Sequence, residues 1–396
     1  MTWWKVTLKS QQSITLGTGA TRAFHTPSLG YIPGSALRGA LARAWLVECG
    51  EGDPRFQETF DGTPRFGPLL AENSDIASQS VARRKYWEGK DRYVDLAFQD
   101  GEDLEGAEQL KGDVMWAPGG GMRSIVRTAL DEVTKTAKEG SLFSREAHRK
   151  CRTFTGHIVG DEHLVEPLRQ FTRISIGGQK SVHGRCEVTI DKVAAPAVGD
   201  PARVVLRTLS PSILTDDAGR PMLDIADVFW GFDVQEAWGN RLTADGVSGW
   251  HAASNTPKPS EAAIAPGAVV VLRNVDPRAL GKLLNRGIGT RRAEGFGWLE
   301  VVTEPWSPPV ADDERVVVGK EPAEARWRQA EGWALRDRRS LANWLVELDP
   351  SAGLSQIQGQ RAWLNLTAEQ QDVVEKVLQQ TPEPNRKAIA STLRRN

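Results

Sequence analysis

The chain has 396 residues, 40% hydrophobic and 26% charged, with 50 Lys+Arg against 51 Asp+Glu. That is apolar material for two or three domains, while a net charge of −1 excludes a globally basic surface, so any phosphate-binding face has to come from local clustering. Three cysteines without a C-x-x-C pair exclude a disulfide framework and a thiolate zinc site, and neither a signal peptide nor a run of roughly 18 apolar residues is present, so a soluble, cytoplasmic chain with no membrane partner is expected.

In chain order, WWKVTLKS reads as a strand with Trp4, Val6 and Leu8 on one face. In IPGSALRGALARAWLVECG, Pro33 and Ser35 give start signals, Leu37, Leu41, Ala44 and Trp45 form an apolar stripe, and Gly50 stops the helix; Cys49 is expected in the core. Residues 51–121 form a long irregular insertion with a basic knot at 82–87 and an acidic run at 100–108. MRSIVRTALDE (122–132) predicts a strand, CRTFTGHIVG (151–160) another, DEHLVEPLRQF a short helix capped by Asp161, and RCEVTI (185–190) a closing strand. The order strand, helix, strand, strand, helix, strand is the ferredoxin-like, α+β arrangement. After the linker AAPAVGDPA the pattern repeats: ARVVLRTLS, an insertion over 211–265, the strand GAVVVLRNV, the helix DPRALGKLLNRG and the strand GFGWLEVV. The expected organisation is therefore a first domain over 1–195, a second over 196–303, and a Pro-rich linker with a helical region over 304–396.

An internal repeat supports the duplication. ISIGGQKSVHGRCEV (174–188) and GIGTRRAEGFGWLEV (287–301) each follow a strand and a short helix, aligning Ile176-Gly177 with Ile288-Gly289 and Gly184 with Gly297.

Three groups of residues suggest chemistry. In GIGTRRAEGFG, Gly287, Gly289, Gly295 and Gly297 permit close backbone approach, Arg291 and Arg292 supply guanidiniums, and Phe296 offers a ring for stacking; this suits a phosphodiester backbone, although a tight connection with exposed arginines explains it equally well. Its first-half counterpart carries Lys180 and His183. Gly34 and Ser35 stand at a helix start, where unpaired N–H groups favour an anion, with Arg38 on the same helix; simple capping also accounts for Ser35. His25, three residues after Arg22, suits general acid–base chemistry in a metal-free ribonuclease, and is otherwise a solvated loop histidine. His148, His157 and His163 lack zinc-ligand spacing; Asp216-Asp217 could ligate a cation or position a water, but a turn explains them at least as well, and no metal or other cofactor is expected.

IPGSALRGAL together with the late GIGTRRAEGFGWLEV resembles the RAMP superfamily of CRISPR-associated proteins, and RFGPLL, LFSREAHRKCRTFTGHIVG, SPSILTDDAGRP and SGWHAASNTPKPSEAAIAPGAVVVL fall in the order of its double-RAMP subunit from type III-D effector complexes. The resemblance spans about residues 1–303. It implies two tandem ferredoxin-like (RRM-like, βαββαβ) domains with long insertions and a helical C-terminal extension, acting without catalysis. The implied role is to hold the 5′ handle of the CRISPR RNA and cap the RAMP backbone subunits beside the large signature subunit. Carried over, Gly287, Gly289, Arg291, Arg292, Gly295 and Gly297 fall at an RNA-contacting loop, and Gly34, Ser35 and Arg38 at a helix start facing RNA. The alternatives are a metal-independent pre-CRISPR-RNA endoribonuclease of the same superfamily using His25, with Lys5, Lys9 or Arg22 stabilising charge, and a scaffold that binds only protein.

Overall fold

The computed structural model describes the chain except residues 19–24, 51, 85–92, 100–106, 111–114, 117–120, 131–133, 135, 179–182, 244–245, 252–253, 310–329, 331–332, 348–354, 381–385, 387–388, 391–392 and 395–396. It divides into two units, Met1–Ala311 and Asp312–Asn396. The first is a mixed α+β body with several antiparallel sheets.

Its elements begin with β1 (Thr2–Ser10), β2 (His25–Thr26), α1 (Gly34–Glu48) and α2 (Arg55–Asp61). Seven short strands follow, β3 (Arg65–Phe66), β4 (Leu70–Ala71), β5 (Asp75–Ile76), β6 (Val81–Arg84), β7 (Tyr93–Asp95), β8 (Ala107–Gln109) and β9 (Met115–Trp116). Then come a long hairpin of β10 (Met122–Leu130) and β11 (Ala137–His148), β12 (Thr153–Gly160), α3 (Glu162–Val165), β13 (Arg173–Ser175) and β14 (Arg185–Val193). The second half holds β15 (Arg203–Thr208), β16 (Asp233–Trp238), the hairpin β17 (Val247–His251) and β18 (Thr256–Glu261), β19 (Val269–Arg273), α4 (Pro277–Arg286) and β20 (Leu299–Val302).

The main first-half sheet runs β13-β14-β1-β12-β3, with β4 also on β12. Alternation in β1 places Trp4, Val6 and Leu8 in a core with Leu37, Leu41 and Trp45 of α1, all fully buried. The second-half sheet runs β16-β19-β15-β20, and Leu280 and Leu284 of α4 pack on Val204, Leu206, Val270 and Leu272. Trp3, on the opposite face of β1 from Trp4, joins that second core: its indole donates to Asn285 Oδ1 at 2.8 Å and meets the Trp298 ring edge-on at 5.8 Å.

Three expectations are corrected. Met122–Leu130 is a strand, but it pairs with β11 in a separate hairpin, and the place beside β12 is taken by Arg65–Phe66 and Leu70–Ala71 from the stretch expected to be irregular. The proline and glycine in RFGPLL break that strand in two, which hides it from period-two reading. In the second half, Asp233–Trp238 is likewise a sheet strand inside an expected insertion. Cys49 is exposed rather than buried, because helix α1 ends there and carries it past the core; Cys186 is the buried thiol, its pKa pushed up to about 12 by that burial.

The second unit holds α5 (Leu335–Glu347), α6 (Ser355–Gln358), α7 (Arg361–Leu364) and α8 (Ala368–Gln380) around Leu341, Trp344, Leu345, Trp363, Val374 and Val377. No described helix is long and apolar enough to cross a membrane.

One buried histidine makes folding pH-dependent. His148, fully buried at the end of β11, shares its Nε2 with the Leu29 carbonyl at 2.8 Å, and burial, against that bond and with Arg152 nearby, lowers its pKa to about 4. Its folded value lies below the ordinary 6.5, so the unfolded chain takes up the proton first and stability falls as pH drops from about 6.5 to 4. The loss should reach about 3 kcal/mol at pH 4, and urea midpoints of wild type and His148→Gln across that range should converge as the pH falls.

Candidate nucleic-acid interface

The described ends of the two repeated loops are tied down alike. In the first half, Ile176 N–H donates to Gly184 O (2.9 Å), Gly184 N–H to Ser13 O (2.9 Å) and Gly178 N–H to Thr15 O (3.1 Å). In the second, Ile288 N–H donates to Gly297 O (3.1 Å), Gly297 N–H to Pro211 O (2.9 Å) and Thr290 N–H to Ile213 O (2.9 Å). Gly177 and Gly289 have φ of 89° and 70°, with a neighbouring carbonyl where a side chain would begin, so the glycines of the repeat are fixed by backbone packing.

The second loop is also half of a joint. Gly295 lies against Gly34 at the start of α1: a Cβ on Gly295 would stand 2.9 Å from Gly34 Cα, and a Cβ on either glycine would run into the Phe66 carbonyl. Two motifs some 260 residues apart thus meet on β3. Pro33 precedes the helix in extended conformation with no side-chain cap; Ser35 is half-buried, and among the described residues no hydrogen bond of its hydroxyl is found. Arg38 is turned away, donating to Phe60 O at 2.5 Å and pairing with Asp61, so it braces α2 instead of facing the joint.

Arg65 underlies this joint, and no local sequence signal marks it. It is 4% exposed, stacks on the Trp298 ring at 4.6 Å, and donates from Nη1 to Leu284 O (3.1 Å) and Asn285 O (3.0 Å), the carbonyls at the end of α4. Burial, and then the charge of Arg292, lower its pKa to about 9. Arg292 is itself lowered by burial and then by exposed Arg286. Arg292 thus lies within electrostatic reach of Arg65 and of Arg286, and no ion pair to a carboxylate is found for any of the three among the described residues.

The rest of the loop is differently employed. Arg291 adopts the left-handed conformation (φ 51°) and pairs with Glu294 (2.9 Å) and Glu261 (2.5 Å). Burial opposes its charge, but the two carboxylates outweigh burial and raise its pKa. Lys258 also pairs with Glu294 (2.9 Å), so hairpin β17–β18 is clamped to the loop. Phe296 is 8% exposed, packed with Ile213 and Ala263 and covered by Arg291 at 4.8 Å; its ring is not offered for stacking, a correction that follows from the loop turning it inward.

In the first half, Lys180 and Arg22 lie outside the described residues. His183 is buried, 3.1 Å from Arg127 Nη2, and burial and then Arg127, Arg123 and Arg145 depress its pKa. Those three arginines share one face of hairpin β10–β11 with Phe143, while Glu146 lies on the other. Their spacing is readable in the sequence, Arg123 and Arg127 being four apart in a strand. His25 pairs with β11: Nδ1 is 2.8 Å from Ser144 Oγ and Nε2 is 3.5 Å from Glu146. Glu146 also accepts from Ser28 N–H (3.2 Å), so His25 belongs to a polar brace. The uncovered face of the main sheet presents Lys5, Thr7, Lys9, Thr155, His157, Glu187, Thr189 and Asp191; among the described residues its rings are the covered Trp3 and the His157 imidazole, which meets Trp3 edge-on at 5.7 Å, and it carries no Phe or Tyr.

No family model and no curated protein matches the chain. Similar solved structures include a chain of the type III-B Cmr-beta complex bound to cognate target RNA, with 16% identity, 74% of this chain and 95% of that one covered, and a TM-score of 0.42. A chain of the same complex bound to target RNA and AMPPnP gives 14%, 72%, 90% and 0.39. The CRISPR-associated protein Cas6 gives 9%, 76%, 99% and 0.34. These neighbours come from CRISPR systems, as the sequence resemblance does. At such identities and TM-scores the likeness carries no functional argument, so function has to be read from the chain's own residues.

Proposed function

We propose that the chain binds CRISPR RNA within a type III effector complex, holding the 5′ handle and capping the RAMP backbone beside the large signature subunit, and that it binds without cutting. The observation that carries this reading is the joint where Gly34 and the Gly287–Gly297 loop meet over Arg65, with Arg292 near Arg65 and Arg286 near Arg292. Unpaired N–H groups at a helix start and like-charged guanidiniums without carboxylates both gain most from a phosphate, which relieves their mutual repulsion. The reading takes the orders β14-β1-β12-β3 and β20-β15-β19-β16 as two ferredoxin-like domains, since in each the fourth strand lies beside the first and the third between first and second. Arg123, Arg127 and Arg145 extend the basic surface along the first half. Base stacking on the open sheet face is not part of the proposal, because that face carries no Phe or Tyr, Trp3 is covered and the His157 imidazole is packed edge-on against it.

The nuclease reading has one observation in its favour, the contact of His25 with Ser144 and Glu146. Both ring nitrogens are already engaged, so proton transfer to RNA requires one of them to be released. An end-labelled CRISPR-repeat RNA, incubated without metal and run on native and denaturing gels, separates the two. Binding without cleavage is expected, unchanged in His25→Ala. In Arg286→Ala/Arg292→Ala, affinity should fall with the salt slope reduced by about 0.7 per lost phosphate contact. A discrete product that disappears in His25→Ala would make the protein a processing nuclease instead.

A further inference from the structure

On the far flank of α1 from the joint, a cleft of about 410 Å³ opens between the helix and β13. Its floor is apolar, with Ala40 and Ile174 buried beneath Ala44 and the exposed Val47. Its rim carries Arg43 from α1, Arg173 from the edge strand β13 and Arg185 from β14. All three side chains are exposed, and among the described residues none makes an ion pair or a side-chain hydrogen bond. Neighbouring arginines are treated otherwise: Arg38 pairs with Asp61, Arg55 with Asp53 and Arg169 with Glu166. Glu187, opposite Arg173 in the sheet, is held by Gln11 at 2.6 Å, and Glu48 is the one carboxylate lining the cleft. Three guanidiniums against one carboxylate leave two positive charges.

We infer that this cleft binds a nucleoside phosphomonoester, its dianionic phosphate held by Arg43, Arg173 and Arg185 and its base or ribose laid on the floor of Ala40, Ala44, Val47 and Ile174. A monoester phosphate carries about −1.5 to −2 charges near neutral pH, matching the surplus on the rim. Guanidiniums present paired donors to its oxygens, which lysines do not. The volume lies within the range of small-ligand sites, about 300 to 1,000 Å³, and the apolar floor gives a flat ring system something to cover. A bare inorganic anion would leave that floor uncovered, whereas a nucleotide uses both parts. The same chemistry comes from two sources, a free nucleotide or the phosphorylated end of an RNA strand. The cleft shares no residue with the joint, so its ligand is independent of the handle-binding proposal.

The test is calorimetric titration of the full chain with 5′-AMP, adenosine, and a trinucleotide carrying either a 5′-phosphate or a 5′-hydroxyl. Wild type, Arg43→Gln, Arg43→Gln/Arg173→Gln/Arg185→Gln and Arg292→Ala are compared, with melting temperatures confirming that each is folded; substitutions of exposed arginines leave the core intact. Phosphorylated ligands should bind wild type at least tenfold more tightly than their unphosphorylated counterparts. That preference should shrink in Arg43→Gln, vanish in the triple variant and persist in Arg292→Ala. AMP binding alone would identify a free nucleotide as the source, and binding of the phosphorylated trinucleotide alone would identify an RNA end. Equal affinity for AMP and adenosine, a preference unaffected by the triple substitution, or no binding of any phosphorylated ligand would overturn the inference. Loss of repeat-RNA binding in Arg292→Ala with AMP binding intact separates the two sites.

Discussion

Gly295→Ala is expected to destabilise the Met1–Ala311 unit by about 2–4 kcal/mol and to abolish RNA binding. Two costs combine. Gly295 sits at φ 88° and ψ 12°, a left-handed conformation that alanine adopts only at about 1 kcal/mol. The new methyl also points at the Phe66 carbonyl and stands 2.9 Å from Gly34 Cα. Both are backbone atoms in a strand and at a helix start, so no rotamer change relieves the contact, and overpacking of this kind costs a further 1–3 kcal/mol or so. Relief comes only by moving α1 or the loop, either of which opens the joint and parts Arg65 from the carbonyls at the end of α4. Gly281→Ala is the control. It lies within α4 with open space at its Cβ position, and should stabilise by about 0.5–1 kcal/mol. Urea unfolding followed by tryptophan fluorescence measures both, and anisotropy of a labelled repeat RNA reads the binding. If Gly295→Ala unfolds at the wild-type midpoint, the two motifs do not touch as described.

That joint also marks how far the sequence is legible. Both motifs are visible in it, as is the repeat, because glycine spacing and an apolar helical stripe are local signals. Their meeting is not, since the contact spans some 260 residues and is made by backbone atoms that have no sequence signature. Arg65 is hidden for a related reason: an arginine two residues before a glycine and proline looks like loop, and only the sheet register buries it under Trp298. Arg291 and Arg292 are adjacent, yet the left-handed turn between them sends one into a carboxylate clamp and leaves the other beside Arg65 and Arg286. The net charge of −1 is blind to this sorting. Arg38, Arg55, Arg207 and Arg291 are neutralised by carboxylates, so the basic clusters emerge only after pairing is known.

Arg207→Met is the second large effect, expected to cost about 3–5 kcal/mol while RNA affinity per folded molecule stays at the wild-type level. Arg207 lies in β15 with its side chain 7% exposed, between Glu300 of β20 (2.5 Å) and Asp75 of β5 (3.0 Å), and its Nη1 also donates to the Ile76 carbonyl. Burial disfavours its charge, but Glu300 and Asp75 outweigh burial and hold the guanidinium protonated. The arrangement fastens the short strand β5, from the first-half insertion, onto the second-half sheet, and Gln79 adds bonds from the same segment to Ala265 O (3.0 Å) and Gly267 O (2.7 Å). Methionine fills most of the volume but leaves two carboxylates facing each other without a cation. Burial already raises the pKa of Glu300, and the variant removes the Arg207 charge that lowers it, so protonation of Glu300 stabilises the folded variant at low pH and that contribution is lost as pH rises. The deficit relative to wild type should therefore be smaller at pH 5 than at pH 8. Adding Asp75→Asn and Glu300→Gln should recover most of it, because neutral amides do not repel, and a double-mutant cycle on urea midpoints measures the coupling. A deficit below about 1 kcal/mol at pH 8, with no rescue by the amides, would mean that this triad does not bind the insertion to the sheet.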